Sequence, residues 1–276
     1  MNEINNRFSL NDKVAIITGG AGLLGLQHAR AIAEQGGIPL LWDINSEKAG
    51  MVAKEISQNY DCVCEAFEVD ITNIGSVEDN LANIIERYNK VDILINNAAN
   101  DPKPSMGASL SWARLENFTT EMWEKDLNVS LLGAFNCSKS IGTQMANRGG
   151  GVILNIASDL GVIAPDQRIY SLEGVSKHEQ PVKPVTYSVV KHAIIGLTKY
   201  LATYWAEDNI RVNSLSPGGI FADQPKEFVD KLTSLIPMSR MATPDEYQAA
   251  VIFLVSQASS YMTGTNMVVD GGRTCW

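Results

Sequence analysis

Tyr187 and Lys191 stand four residues apart in the stretch KPVTYSVVKHAIIGLTKYLATYWA, which reads as a helix. On a helix that spacing places both side chains on one face, one turn apart. A phenol ionises near pH 10, and an ammonium group beside it favours the phenolate and draws that value down. Such a pair is suited to giving or taking the proton when an alcohol and a carbonyl interconvert. The spacing alone does not prove the role, because Tyr and Lys at this separation recur on many helices. The elements around the pair have to place it beside a cofactor and a substrate.

Those elements alternate. KVAIIT (13–18) reads as a strand and passes through GGAGLLG into the helical LQHARAIAEQG; IPLLWD (38–43) is the next strand. A helix over 46–58 and a strand over CVCEAFEVD (62–70) follow, then the helical SVEDNLANIIERYN and a strand at 91–99. One long helix is expected over TTEMWEKDLNVSLLGAFNCSKSIGTQMAN, followed by a strand at 149–158 and the Tyr187 helix. IRVNSLSPGG (210–219) reads as strand and turn, and a helix near 244–256 and a strand at 266–269 close the chain. Nearly continuous apolar strands separated by helices predict an α/β fold, a doubly wound parallel sheet covered on both faces. No linker divides the 276 residues, so one domain is expected. In such sheets ligands bind beyond the carboxyl ends of the strands. Gly19, Asp43, Asp70, Asn96, Ser158 and Ser216 occupy those ends and are expected to converge on one ligand.

Gly19, Gly22 and Gly25 follow the first strand directly. Glycine there permits a tight turn and close approach of backbone to a pyrophosphate, while the helix N-terminus supplies N–H groups and positive dipole. Asp43, 18 residues past Gly25 (43 − 25), is placed to accept hydrogen bonds from an adenosine ribose diol and to repel a 2′-phosphate. No Arg or Lys lies in the loop or directly after Asp43 to pair such a phosphate, so NAD is expected in preference to NADP.

Charge and composition narrow the partners. With 22 basic against 31 acidic residues the net charge is −9, which argues against nucleic acid or an anionic membrane as principal partner. No apolar run reaches membrane-spanning length and the first twelve residues lack a signal-peptide core, so a cytoplasmic location is expected. Cys62 and Cys64 read as core thiols on one face of a strand. None of the four cysteines or three histidines has the spacing of a metal site.

With these pieces in place the sequence resembles the short-chain dehydrogenase/reductase family over nearly its whole length. The motifs are TGGAGLLG (18–25), Asp70, NNAA (96–99), Asn128 in NVSLLGAF, Ser158 in NIAS, Tyr187-x-x-x-Lys191, SPGG (216–219) and TGTNMVVDGG (263–272). The resemblance implies a Rossmann-type three-layer fold and an NAD-dependent oxidoreductase acting on CH–OH. It implies Tyr187 as general acid/base, Lys191 lowering its pKa and binding the nicotinamide ribose, Ser158 on the substrate oxygen and Asn128 holding a relay water. It places Gly19, Gly22, Leu24, Gly25, Asp43, Asp70, Ile71, Asn97, Ala98, Pro217, Gly218 and Ile220 on the cofactor.

The chain departs from the family in places. The glycine spacing looks like the extended branch, whereas NNAA, Asn128, the length and the VDGG tail look like the shorter one. Alanine ends the NNAA motif where glycine is usual, which is tolerated if the backbone angle there is negative. Ser158 and Tyr187 are 29 residues apart (187 − 158), about twice the usual separation. Enlarged loops near 101–117 and 164–184 are expected to wall a pocket or to decorate an interface. Arg168, Lys177 and Lys183 in the second could meet a phosphate or carboxylate, or remain solvated. The stretches NIASDLGVIAPDQRIY and KPVTYSVVKHAIIGLTKYLATYW resemble dehydrogenases of surface-glycan and flagellin-modification pathways, implying a sugar or nucleotide-sugar substrate. A sugar-nucleotide epimerase or dehydratase, a reductase of a non-sugar carbonyl such as a 3-oxoacyl substrate, and a silent NAD-binding protein stay open. Met122, Trp123, Leu127, Leu131, Phe135, Leu197, Leu201 and Trp205 exceed what one sheet face is expected to hide, so a homodimer or homotetramer is expected.

Overall fold

The computed structural model describes residues 3–100 and 109–276. Seven strands form one parallel sheet in the order β3-β2-β1-β4-β5-β6-β7. They are β1 (Val14–Thr18), β2 (Ile38–Asp43), β3 (Glu65–Glu68), β4 (Ile93–Asn96), β5 (Gly151–Ile156), β6 (Ile210–Pro217) and β7 (Asn266–Val269). The helices are α1 (Glu3–Asn6), α2 (Leu23–Glu34), α3 (Ser46–Tyr60), α4 (Ile74–Tyr88), α5 (Thr120–Leu127), α6 (Gly133–Asn147), α7 (Val185–Tyr204), α8 (Lys226–Thr233) and α9 (Gln248–Val255). The sheet reads outward in both directions from β1 and β4, which pair through Ala15–Ile93 and Ile17–Ile95. That switch in strand order opens a crevice at the carboxyl edge.

Strand residues are buried on both faces because alternate side chains enter different cores. Ala15, Ile17, Leu41, Leu154 and Leu215 pack with Ile32 of α2, Ile56 of α3 and Val251 of α9. Val14, Ile16, Leu40, Leu94, Ile153 and Val212 pack with Ile84 of α4, Ile141 of α6 and Leu201 of α7. This is the three-layer α/β/α architecture expected of the sequence.

Local differences have physical causes. Strand β3 is only four residues long, so Cys62 and Cys64 precede it rather than alternate along it; both still pack against the first core. The expected single helix over 119–147 is broken by a π-turn, Asn128–Leu132, between α5 and α6. Helix α8 was not anticipated, being short and mostly polar. Leu201 and Trp205 are core residues, whereas Phe135, Tyr200 and Tyr204 are exposed large side chains on α6 and α7. Among the described residues no helix is long and apolar enough to cross a membrane.

Candidate active site

A cleft of about 1040 Å³ lies along the carboxyl edge of the sheet. Its floor at one end is the loop from β1 into α2. Gly19 has φ +62°, and a Cβ there would come within 2.9 Å of Ala98 Cα. A Cβ on Gly25 would stand 2.2 Å from the Gly19 carbonyl, so only glycine lets the helix turn this tightly beneath its own loop. Asn97 ties the loop down, its amide donating to the carbonyls of Thr18 (2.9 Å) and Gly19 (3.1 Å). Helix α2 starts at Gly22 with no side-chain cap, leaving its first-turn N–H groups facing an anion's place.

Asp43 ends β2 beside this loop. Its carboxylate accepts from the backbone N–H of Ala21 (3.0 Å) and of Asn45 (2.9 Å), which fixes it at the cleft wall. Gly19, Gly22, Leu24, Asp43, Asp70, Ile71, Asn97, Ala98, Lys191, Pro217, Gly218 and Ile220 all line the cleft. Gly25 lies beneath it, with the packing role just described. Glycine-cradled backbone, an uncapped helix start and an acid at the end of the adjacent strand fit a dinucleotide. Ala99 has no positive φ, so the alanine that ends NNAA sits there without backbone strain.

At the other end Tyr187, Ser158 and Lys191 meet. Tyr187 Oη stands 3.5 Å from Ser158 Oγ. Lys191 is 6% exposed and donates from Nζ to the Ile156 carbonyl at 2.9 Å, with Nζ 5.8 Å from the centre of the Tyr187 ring. A ladder of buried amides sets α7 against the sheet. Asn96 donates to Asn155 (2.8 Å) and Ser138 (2.9 Å), and Asn155 donates to Thr198 of α7 (2.9 Å). Asn96 and Ser216 therefore face the interior and do not join the ligand edge as the strand-end reading expected; Ser216 donates to Asn266.

Ser158 donates to Asp159 (2.8 Å), and Asp159 pairs with Arg273 at 2.7 Å, both members of the pair almost fully buried. Thr186, the residue before the tyrosine, donates to the buried Asp126, which also accepts from Asn100.

The structure does not bring Asn128 to this group. It is exposed and outside the cleft lining, while Val129 lines the cleft and Ser130 is buried, accepting from the Asn100 N–H at 3.0 Å. Asn128 is the first residue of the π-turn.

Part of the enlarged loop, residues 101–108, lies outside the described residues. The other, 164–184, contributes Ile169, Tyr170 and Lys183 to the wall of the cleft that also holds Tyr187. Ile169 packs with Leu232, Ile236 and Met241, and the Tyr170 ring packs tilted against Phe228 with centroids 5.6 Å apart. Arg168 is solvated and held by Asp166, and Lys177 is exposed; Lys183 alone of the three lines the cleft. Tyr170, Gln224, Phe228 and Arg273 also line it and were not foreseen, because nothing in local periodicity links segments so far apart.

Beneath the glycine loop His28 is wholly buried, and burial pushes its pKa down to about 4, opposed by Asn97. The unfolded chain takes up that proton near pH 6.5, so stability present above this value is lost progressively as pH falls toward 4. Unfolding measured across that window should lose about 3 kcal/mol from this group alone. The loss should be absent in His28→Leu.

A family model described as enoyl-(acyl carrier protein) reductase matches residues 20–274. The NAD-dependent glycerol dehydrogenase of Listeria innocua is 35% identical over 272 residues, covering 97% of this chain and 96% of that protein. The NADP-dependent mannitol dehydrogenase of Alternaria alternata is 32% identical over 277 residues, covering 98% and 95%. A gluconate 5-dehydrogenase from Burkholderia cenocepacia, solved with NADP and tartrate, superposes with a TM-score of 0.84 at 29% identity over 99% of both chains.

Proposed function

This chain belongs to the short-chain dehydrogenase/reductase family and is an oxidoreductase acting on alcohols, and we propose that it interconverts a secondary alcohol and a ketone on a polyhydroxylated substrate with NAD. The observation that carries the reading is the meeting of Tyr187, Ser158 and Lys191 at one end of a cleft whose other end fits a dinucleotide. Ser158 holds the substrate oxygen, and Tyr187 takes the hydroxyl proton or returns it. Lys191, anchored on the Ile156 carbonyl, supplies the positive charge that favours the phenolate. NAD, when bound, accepts the hydride or supplies it. No role is assigned to Asn128.

Relatives named for glycerol and mannitol support a polyol or sugar alcohol as substrate class. The finer assignment, to a sugar or nucleotide sugar of surface-glycan assembly, is supported by the stretches around Ser158 and Tyr187 and by the wall built from 164–184. We take the active form to be a homodimer or homotetramer, supported by Phe135, Tyr200 and Tyr204 exposed on neighbouring helices.

The test is NADH absorbance with purified protein, NAD⁺ or NADP⁺, and a panel of polyols, sugars and nucleotide sugars. Net NADH from a polyol or sugar supports the proposal; retained NAD with product and no net NADH supports an epimerase instead. Asp43 makes the cofactor preference testable by itself. Asp43→Ser removes the charge that repels a 2′-phosphate and should move the NAD/NADP ratio of kcat/KM toward NADP by about tenfold or more, ~1.4 kcal/mol. An unchanged ratio would refute that role for Asp43.

A further inference from the structure

The enlarged segment 164–184 ends by laying a second lysine against Tyr187. Lys183 Nζ stands 3.8 Å from the centre of the tyrosine ring, nearer than Lys191 Nζ at 5.8 Å. The backbone holds it there. The Lys183 N–H donates to Gln167 Oε1 at 2.9 Å, and Gln167 begins the short turn Gln167–Tyr170 that is anchored on α8 through Ile169 and Tyr170. Gln180 clasps the intervening chain, accepting from the Leu172 N–H and donating to the carbonyls of Leu172 and Val175. Pro184 follows at once as the N-cap of α7, so the lysine's place is fixed relative to the tyrosine four residues on.

We propose that Lys183 is a positioning residue of the proton transfer, a second cation held against Tyr187 that favours its phenolate. The proposal rests on the reading of Tyr187 as the group that moves the proton. A positive charge at this range, partly withdrawn from water, interacts with the phenolate more strongly than a solvated one does. Among the described residues, charged groups that line this end of the cleft besides Lys183 include Lys191 from α7 and the Asp159–Arg273 pair, which is neutral as a pair. The Tyr170 phenol also lines it, and Asp43 and Asp70 lie toward the glycine-loop end. The enlarged loop thus has an electrostatic task besides walling the pocket.

The experiment is the pH dependence of kcat for alcohol oxidation in wild type, Lys183→Gln and Lys183→Arg, with Tyr187→Phe alongside. The acid limb in Lys183→Gln should move up by about one pH unit, making the rate on that limb about tenfold lower, with the alkaline plateau retained. Lys183→Arg should restore the limb. Independently of turnover, the ultraviolet tyrosinate difference between wild type and Tyr187→Phe should titrate later when Lys183→Gln is present in both. A limb that stays in place overturns the proposal, whether KM is unchanged or rises; a raised KM would instead make Lys183 a substrate contact. An active Tyr187→Phe enzyme would show that the proton-transfer reading itself had failed.

Discussion

Tyr187→Phe should lower kcat by about 10²–10⁴-fold, the usual contribution of a positioned proton donor or acceptor. Dinucleotide affinity should be unchanged. Phenylalanine keeps the ring that packs beside Lys183 and Lys191 and removes only the hydroxyl that stands 3.5 Å from Ser158. The glycine loop, Asp43 and Asn97 lie at the other end of the cleft and are untouched. A fall in kcat with matching loss in kcat/KM is the signature of an interaction made only in the transition state. Steady-state kinetics together with a dinucleotide titration would check both halves, and retention of full turnover would sink the assignment.

Arg273→Met should reduce the free energy of unfolding by about 3–5 kcal/mol, because it leaves Asp159 buried without its cation. Asp159 holds Ser158 through the 2.8 Å bond from the serine hydroxyl, so misplacement of the carboxylate also moves the hydroxyl that we propose holds the substrate oxygen. The double variant Asp159→Asn with Arg273→Met should cost less than the two single changes added together, since neither charge is then left alone. Urea denaturation of the four proteins measures this. Additive losses would mean that Arg273 acts by packing only.

What was legible in the sequence, and what was not, follows from how locally each feature is encoded. The glycine loop, the Asp43 strand end and the Tyr187–Lys191 spacing are written within single elements or adjacent ones, and the structure places them in one cleft. The alternation of apolar strands with helices predicted the sheet for the same reason. Asn128 shows where such reading stops. A turn with five-residue hydrogen bonding begins at Asn128, and Val129 rather than Asn128 lines the cleft; the apolar pattern of the sequence reports neither. Asn96 and Ser216 sit at strand ends as expected, yet neighbouring amides and hydroxyls draw them inward. The Asp159–Arg273 pair joins residues 114 positions apart, and no periodicity reports a pair of that kind.

The wall from 164–184 contributes no strand to the sheet, and its contacts with the rest include Ile169, Tyr170, the Lys183 ammonium over the Tyr187 ring, and the carbonyls of Lys177 and Ser171, which accept from Arg114 and Lys231. The dinucleotide end, by contrast, is built from strand termini and a helix start that the main cores hold in place. A change in the length of this wall would therefore reshape one end of the cleft without disturbing any strand of the sheet.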